Sequence, residues 1–382
     1  MRHFAQSPVG SSFRFAVPFP SIMKILVLAQ TPPPIHGQSL MVRAMIEGLP
    51  ALGIRVRHVP MALSTSNNDV GRWRLRKVSS TIRAGFAARR IARAEDIETL
   101  YYVPAPGKSW AVWRDVMALR IARPAIPRLV LHWHGSGLGE WIPSASALLR
   151  RSAHRALGAA DLSVVLAPEL VADAAVFNPR RTEVVANGIP DPGEPTIHGP
   201  NAPTKVLFVG LGSREKGLID TAEAIALLHK SRPNEFTLTF AGNFATKVDE
   251  VDFRRIAESS GSAIRYAGFA GEFQKHELLS GADIFCFPTY YPHEGQPLSL
   301  IEAMAHDVRI VTTRWRAIPG MLPSSNVTFV DPKQPTKLAA ALESSANMPP
   351  PNGALRNHYL KSFTLGSHLE ALRDALLRVG GQ

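Results

Sequence analysis

The chain has 382 residues, 45% hydrophobic and 19% charged, the balance of a globular protein with room for two domains rather than of a disordered chain. Its single cysteine, Cys286, excludes an intramolecular disulfide and sits in the apolar run Ile284-Phe-Cys-Phe287, where a thiol is buried and inert; one thiol also fits a reducing compartment. The formal net charge of +12 is uneven: residues 1–190 hold 24 Lys+Arg against 11 Asp+Glu, and the remainder 19 against 20.

Residues 1–22 carry Arg2 and Arg14 without a continuous apolar core, so they read as a disordered extension, or as the product of an upstream start codon, rather than as a signal peptide. No apolar run approaches the roughly 18 residues of a membrane-spanning helix. Strand patterns then follow at Ile25–Ala29, Ile54–Val59, Thr99–Val103, Leu129–His134, Leu162–Ala167 and Glu183–Ala186. Helical patterns lie between them, as at Ser39–Leu49 and Ala145–Ala159. Apolar strands alternating with helices predict a parallel sheet in a βα-repeat domain. Within it, Arg72 to Arg93 combines Arg72, Arg74, Arg76, Lys77, Arg83, Arg89, Arg90 and Arg93 with Trp73, Leu75, Val78, Ile82 and Phe86. That spacing gives a basic, amphipathic helix. Such a helix docks on an anionic membrane surface, or packs its apolar side inward and solvates its arginines. No nucleic-acid motif accompanies the charge.

The Pro/Gly-rich stretch from Gly188 to Pro203 reads as a linker. The rhythm then restarts with strands at Val206–Val209, Thr237–Ala241, Ile264–Tyr266, Ile284–Phe287, Arg309–Thr312 and Val327–Phe329. Helices are expected at Leu218–His229, Lys275–Leu279, Leu298–Ala305 and Ser367–Val379. The predicted division is a first domain over 23–189, a linker over 190–204 and a second domain over 205–382. Ligands of parallel sheets gather at the carboxyl ends of strands, so the loops there carry the candidate chemistry.

After the first strand comes Thr31-Pro-Pro-Pro-Ile-His36-Gly37-Gln-Ser39. Gly37 lets backbone approach a phosphate, and Ser39 is an N-cap residue type. The fourth strand ends Leu131-His132-Trp133-His134-Gly135, with both histidines on one face. Val185-Ala-Asn187-Gly188-Ile189-Pro190 is turn chemistry at the hinge. The second domain opens with Leu207-Phe-Val-Gly210-Leu-Gly212-Ser-Arg214-Glu-Lys216-Gly217, where Lys216 offers a point charge for a diphosphate.

The most informative run is Glu294-Gly-Gln-Pro-Leu-Ser-Leu-Ile-Glu302, which sets two carboxylates eight positions apart around a turn and a helix start. Pro297 suits the first helical position. The free amides beyond it point at any nearby anion. Amides for a diphosphate, flanked by carboxylates for ribose and sugar hydroxyls, suit a nucleotide-sugar.

This pattern resembles the E-x7-E motif of retaining glycosyltransferases of family 4. Other loops match in order: Pro-Pro-x-Gly-Gly at Gly37, with His36 for the first glycine; the strand-end histidine at His134; Asn-Gly at Asn187; and Phe-Val-Gly-Arg-x4-Lys-Gly at Lys216. Leu211 stands at the family arginine, Arg214 lies three positions later, and Glu-Gly-Gln-Pro replaces Glu-Gly-Phe-Gly. Gly268-Phe269 resembles the loop beside the nucleotide base.

The resemblance covers about residues 23–345. It implies the GT-B fold, α/β with two Rossmann-like domains facing across a cleft. It also implies sugar transfer from a nucleotide-diphosphate sugar to an acceptor. Gly37, Lys216, Arg214, Gly295, Gln296, Leu298 and Glu302 then bind the donor, with Glu302 on ribose. Glu294 holds sugar hydroxyls, and His134 lies beside the transferred sugar, with His132 structural. No metal or cofactor is expected, and no nucleophile is assigned. The basic first half points to a lipid-linked glycan acceptor of cell-surface polysaccharide synthesis, and to a cytoplasmic protein peripheral on the inner face of the membrane. The alternatives are a GT-B nucleotide-sugar epimerase and a non-catalytic basic binding protein.

Overall fold

The computed structural model describes residues 23–61, 75–195, 203–349 and 351–379. Residues 1–22, Arg72, Trp73 and Arg74 of the basic run, and 196–202 of the linker lie outside the described residues.

Six strands form the first sheet: β1 Met23–Ala29, β2 Ile54–Pro60, β3 Thr99–Tyr102, β4 Arg128–Trp133, β5 Leu162–Val165 and β6 Thr182–Val184. Their order is β2-β1-β3-β4-β5-β6, and every pairing is parallel. The second sheet holds β7 Thr204–Val209, β8 Phe236–Ala241, β9 Ile264–Tyr266, β10 Ile284–Phe287, β11 Arg309–Thr313 and β12 Val327–Val330. It runs β12-β11-β10-β7-β8-β9, again all parallel. Parallel strands need crossover helices on both faces. Central strands are therefore buried throughout at Leu129 to Trp133 and Ile284 to Phe287, where the apolar runs do not alternate, while β8 alternates buried Phe236, Leu238 and Phe240 with half-buried threonines. The strand order reverses between β1 and β3 and between β7 and β10. Adjacent loops diverge at such points and leave a crevice.

The two domains close on each other through the loops at these strand ends. Ser136 Oγ donates to the Glu294 carbonyl (2.6 Å), and His293 Nδ1 donates to the Ser136 carbonyl (3.0 Å). The Asn187 N–H donates to Gln296 Oε1 (2.6 Å), Asn187 Nδ2 to the Gln296 carbonyl (3.1 Å), and Gln296 Nε2 to the Leu166 carbonyl (3.3 Å). The Gln296 amide is buried and used up in this clasp. It joins the domains rather than facing a donor. Gly295 passes close against the backbone of His134.

The chain crosses between domains twice, side by side: the Ile189 N–H donates to the Phe363 carbonyl (3.0 Å) and the Leu365 N–H to the Ile189 carbonyl (2.8 Å). Beyond this point the last helix, Leu365–Leu377, buries Leu372, Ala375 and Leu376 in the first domain's core beside Val42 and Met45. The structural division therefore departs from the expected 205–382 unit. The apolar stripe of this helix finds its groove in the other domain, which no local pattern encodes.

A Cβ added at Gly295 would stand 2.2 Å from the His134 carbonyl oxygen, a backbone atom that cannot swing aside. Gly295→Ala should therefore cost about 1–3 kcal/mol by overpacking. It should also enlarge the radius of gyration as the domains part. Thermal melts and small-angle scattering check this; an unaltered melt and radius would contradict it.

Candidate active site

Lys216 and Glu294 meet where β7 and β10 diverge. The β7 loop ends at Gly217, whose φ is 86°. A Cβ there would fall 2.5 Å from the Pro288 carbonyl oxygen, so glycine is needed for both reasons. This close fit brings Lys216 Nζ to 2.7 and 3.0 Å from the two oxygens of Glu294. Thr289 Oγ1 adds a third donor at 3.0 Å, and the lysine lies 4.7 Å from the centre of the Tyr291 ring. The side chains are 17% and 7% exposed. At that depth the pair is strong only while both members stay. Burial, with Glu294 nearby, pushes the Tyr291 phenol up to about 12.

The helix Leu298–Ala305 follows Glu294 with no side chain capping its first turn. Pro297 is its N-cap, with ψ at 120°, rather than its first residue as expected; the turn has to stay extended there to reach the Asn187 clasp. Across the cleft the helix Gly37–Gly48 begins. A Cβ on Gly37 would lie 3.5 Å from Leu298 Cγ. The positive ends of two helices, one from each domain, therefore face one another. The cap of the second is His36, whose Nδ1 accepts the Ser39 N–H (3.2 Å) while Ser39 Oγ accepts the His36 N–H (3.1 Å). This corrects the expectation for Ser39, which closes a capping box from the third helical position.

Glu302 lies one turn into its helix and pairs with Lys275 of the helix Glu272–Ser280. Burial raises its pKa, and the lysine opposes that shift. Lys275 was not singled out from the sequence, because nothing local ties a lysine after β9 to a glutamate after β10. Gly268, φ 78°, and the half-exposed Phe269 begin the same loop.

His134 stands at the end of β4 with its ring 4.1 Å from that of His132. Burial, together with His368 and His36, lowers its pKa to about 3, so it is neutral at pH 7. His132 lies fully inside, bonded through Nδ1 to the Tyr101 hydroxyl. His368, from the last helix, donates to the Ala186 carbonyl (2.6 Å).

Arg214 is not brought to this group. Its guanidinium pairs with Asp252 (2.8 Å) and is half exposed, while its backbone N–H donates to Asp249 (2.8 Å). The helix Lys247–Ser259 supplies both carboxylates and turns the arginine outward. Leu211, at the family arginine position, is exposed too. Among the described residues, no three His, Cys, Asp or Glu side chains gather as a metal site.

Residues 203–347 match the family model described as glycosyl transferases group 1. That match lies within the second domain, which is therefore similar to group 1 glycosyl transferases. No curated protein matches it. Among solved structures it is similar to sucrose-phosphate synthase from Thermosynechococcus elongatus, at 15% identity over 93% of this chain and 98% of that chain, with a TM-score of 0.70. It is also similar to HepE of Anabaena in complex with UDP and glucose, at 16% identity over 93% and 99%, with a TM-score of 0.65. A third is the UDP-forming trehalose-phosphate synthase from Burkholderia xenovorans, at 12% over 94% and 98%, with a TM-score of 0.63. These likenesses show the GT-B fold.

The protein keeps His132, His134 and His368 below the ordinary 6.5, each chiefly through burial. The unfolded chain therefore takes up protons first. Stability is full above about pH 6.5 and falls below it, by about 1.4 kcal/mol per pH unit for each histidine held neutral. Glu302, Asp173 and Asp220, with their pKa values raised by burial, oppose this in part. Urea denaturation between about pH 7.5 and about pH 5 should show the slope. His368→Gln should remove about one histidine's share of it; an unchanged slope would contradict this.

Proposed function

We propose that this protein is a glycosyltransferase that moves a sugar, with retention of configuration, from a nucleotide-diphosphate sugar to a lipid-linked glycan acceptor. The observation that carries the donor assignment is the meeting of Lys216 with Glu294 at the β7/β10 divergence, beside the uncapped start of Leu298–Ala305. Lys216 and the amides at that helix start compensate the diphosphate charge and stabilise the departing nucleotide. These groups make a metal unnecessary. Glu294, freed from Lys216, accepts sugar hydroxyls, and Glu302 accepts ribose hydroxyls. His134, neutral and on the opposite lip, exchanges a hydrogen bond with the sugar without carrying charge. The UDP and glucose in the Anabaena structure support the donor class. Retention rests on the resemblance of the Glu294–Glu302 run to family 4.

The acceptor side is argued from the first domain's charge. In the helix Leu75–Glu95, Ala84, Ala88 and Ala92 face the core, while Arg83, Phe86, Arg90 and Arg93 form an exposed stripe. Phe86, Arg89, Arg90 and Arg93 line an open groove. The large aromatic residue thus lies on the arginine side, as a surface meeting anionic lipid requires. Among the described residues no helix is long and apolar enough to cross a membrane. The glycosyltransferase would work at the cytoplasmic face of the membrane.

A thermal-shift panel of UDP, GDP, ADP and their sugar conjugates, run in EDTA, should show one base stabilising the fold. Against that nucleotide, Lys216→Ala should lose about 1.5–3 kcal/mol of binding, and Glu302→Ala should weaken it too. Unchanged affinity in both would sink the donor site.

Co-sedimentation with anionic and neutral vesicles checks the membrane. Binding should favour anionic lipid and fade at high salt. Changing Arg89, Arg90 and Arg93 to Gln should remove about 1 kcal/mol per arginine. Equal binding to both vesicles, or no loss in the triple variant, would overturn the membrane reading.

A further inference from the structure

We infer that Lys275 is a positioning residue that holds Glu302 for the ribose of the donor, and so sets the preference for ribonucleotides over deoxynucleotides. The inference rests on the proposed role of Glu302 at the ribose.

The two glutamates of the motif are held differently. Lys216 engages both oxygens of Glu294, and Thr289 takes Oε2 as well. Glu294 must therefore change partners before it can take a sugar hydroxyl. Lys275 engages Oε1 of Glu302 alone. An ammonium on one oxygen fixes the carboxylate plane and leaves the lone pairs of Oε2 for a hydroxyl. Glu302 is thus ready before the donor arrives, and only while Lys275 is there.

The surroundings put this task on Lys275. The Glu302 side chain is 15% exposed, and burial favours its uncharged form. Glu272, on the same helix as Lys275, adds a like charge. Arg43, from the helix Gly37–Gly48, reaches across to Glu272 (4.0 Å), not to Glu302. His306 Nδ1 donates to the Glu302 backbone carbonyl (2.8 Å), and its Nε2 faces His276 Nδ1 (3.0 Å). Lys275 is therefore the cation on the carboxylate itself. Without it, Glu302 takes a proton at a higher pH and loses its fixed orientation. A protonated, mobile carboxyl no longer distinguishes a ribose hydroxyl from a hydrogen atom.

The test is equilibrium binding to the full chain of the best nucleoside diphosphate and of its 2′-deoxy and 3′-deoxy forms. Wild type should prefer the ribonucleotide by about tenfold, one good hydrogen bond's worth. Lys275→Met should reduce the preference to within about twofold. Its ribonucleotide affinity should also fall more steeply than that of wild type between about pH 8 and about pH 6. Lys275→Arg should restore both. If the methionine variant does not fold, Lys275→Gln, which keeps a donor without the charge, should still show the pH dependence. A charge-free variant with the wild-type preference and the wild-type pH profile would overturn the role of Lys275 and leave the donor site standing. Wild type that binds all three forms equally would overturn both this inference and the ribose assignment of Glu302.

Discussion

The ion pair between Lys216 and Glu294 ties together the two loops that flank the strand-order reversal of the second sheet. Each partner is costly to bury alone, and the pair lies too deep for water to replace either one cheaply. The geometry around it therefore has to be tight. Gly217 presses on Pro288, Thr289 fills a remaining lone pair, and Tyr291 lies beneath the ammonium. The same pair is also the right kind of interaction to exchange. A diphosphate offers the lysine more charge than one carboxylate does, and a sugar offers the carboxylate hydroxyl donors in return. A ligand supplying both can separate the two residues without stranding either charge.

The second constraint is closeness between the domains. Gly295 passes against the His134 carbonyl, Gln296 is held by Asn187 and Leu166, and Ser136 is bonded to Glu294. The loop that carries the carboxylate is thus the loop that touches the first domain. Its position depends on how the domains sit. The helix start at Gly37 arrives opposite Leu298 by the same approach, so two helix termini from separate domains lie close together. The last helix packs on the first domain and adds a second crossing of the chain. Two segments of the chain therefore join the domains rather than one.

Much of this was legible in the sequence because it is local. Buried parallel strands are continuous apolar runs, and all twelve strands coincide with runs read from the chain. Lys216 and Glu294 carry their identity in short glycine-bearing motifs. What was not legible depends on residues far apart. Lys275 finds Glu302, Gln296 finds Asn187, and the stripe on the last helix finds a groove beside Val42, each through contacts no local window contains. Arg214 shows the reverse case. Its motif placed it near a phosphate, but the next helix offers Asp249 and Asp252, and nearby carboxylates turned it to the surface. His36 and Ser39 exchanged capping roles for a local reason: a histidine ring can accept an amide hydrogen bond as a hydroxyl does.

The most direct test of the exchange at Lys216 is a crystal structure of the protein with a bound nucleotide-diphosphate sugar. The Lys216 ammonium should have left Glu294 for the diphosphate oxygens, with the Glu294 carboxylate accepting hydroxyls of the sugar. A complex in which the lysine stays on Glu294, with the nucleotide bound away from both, would contradict the proposed site.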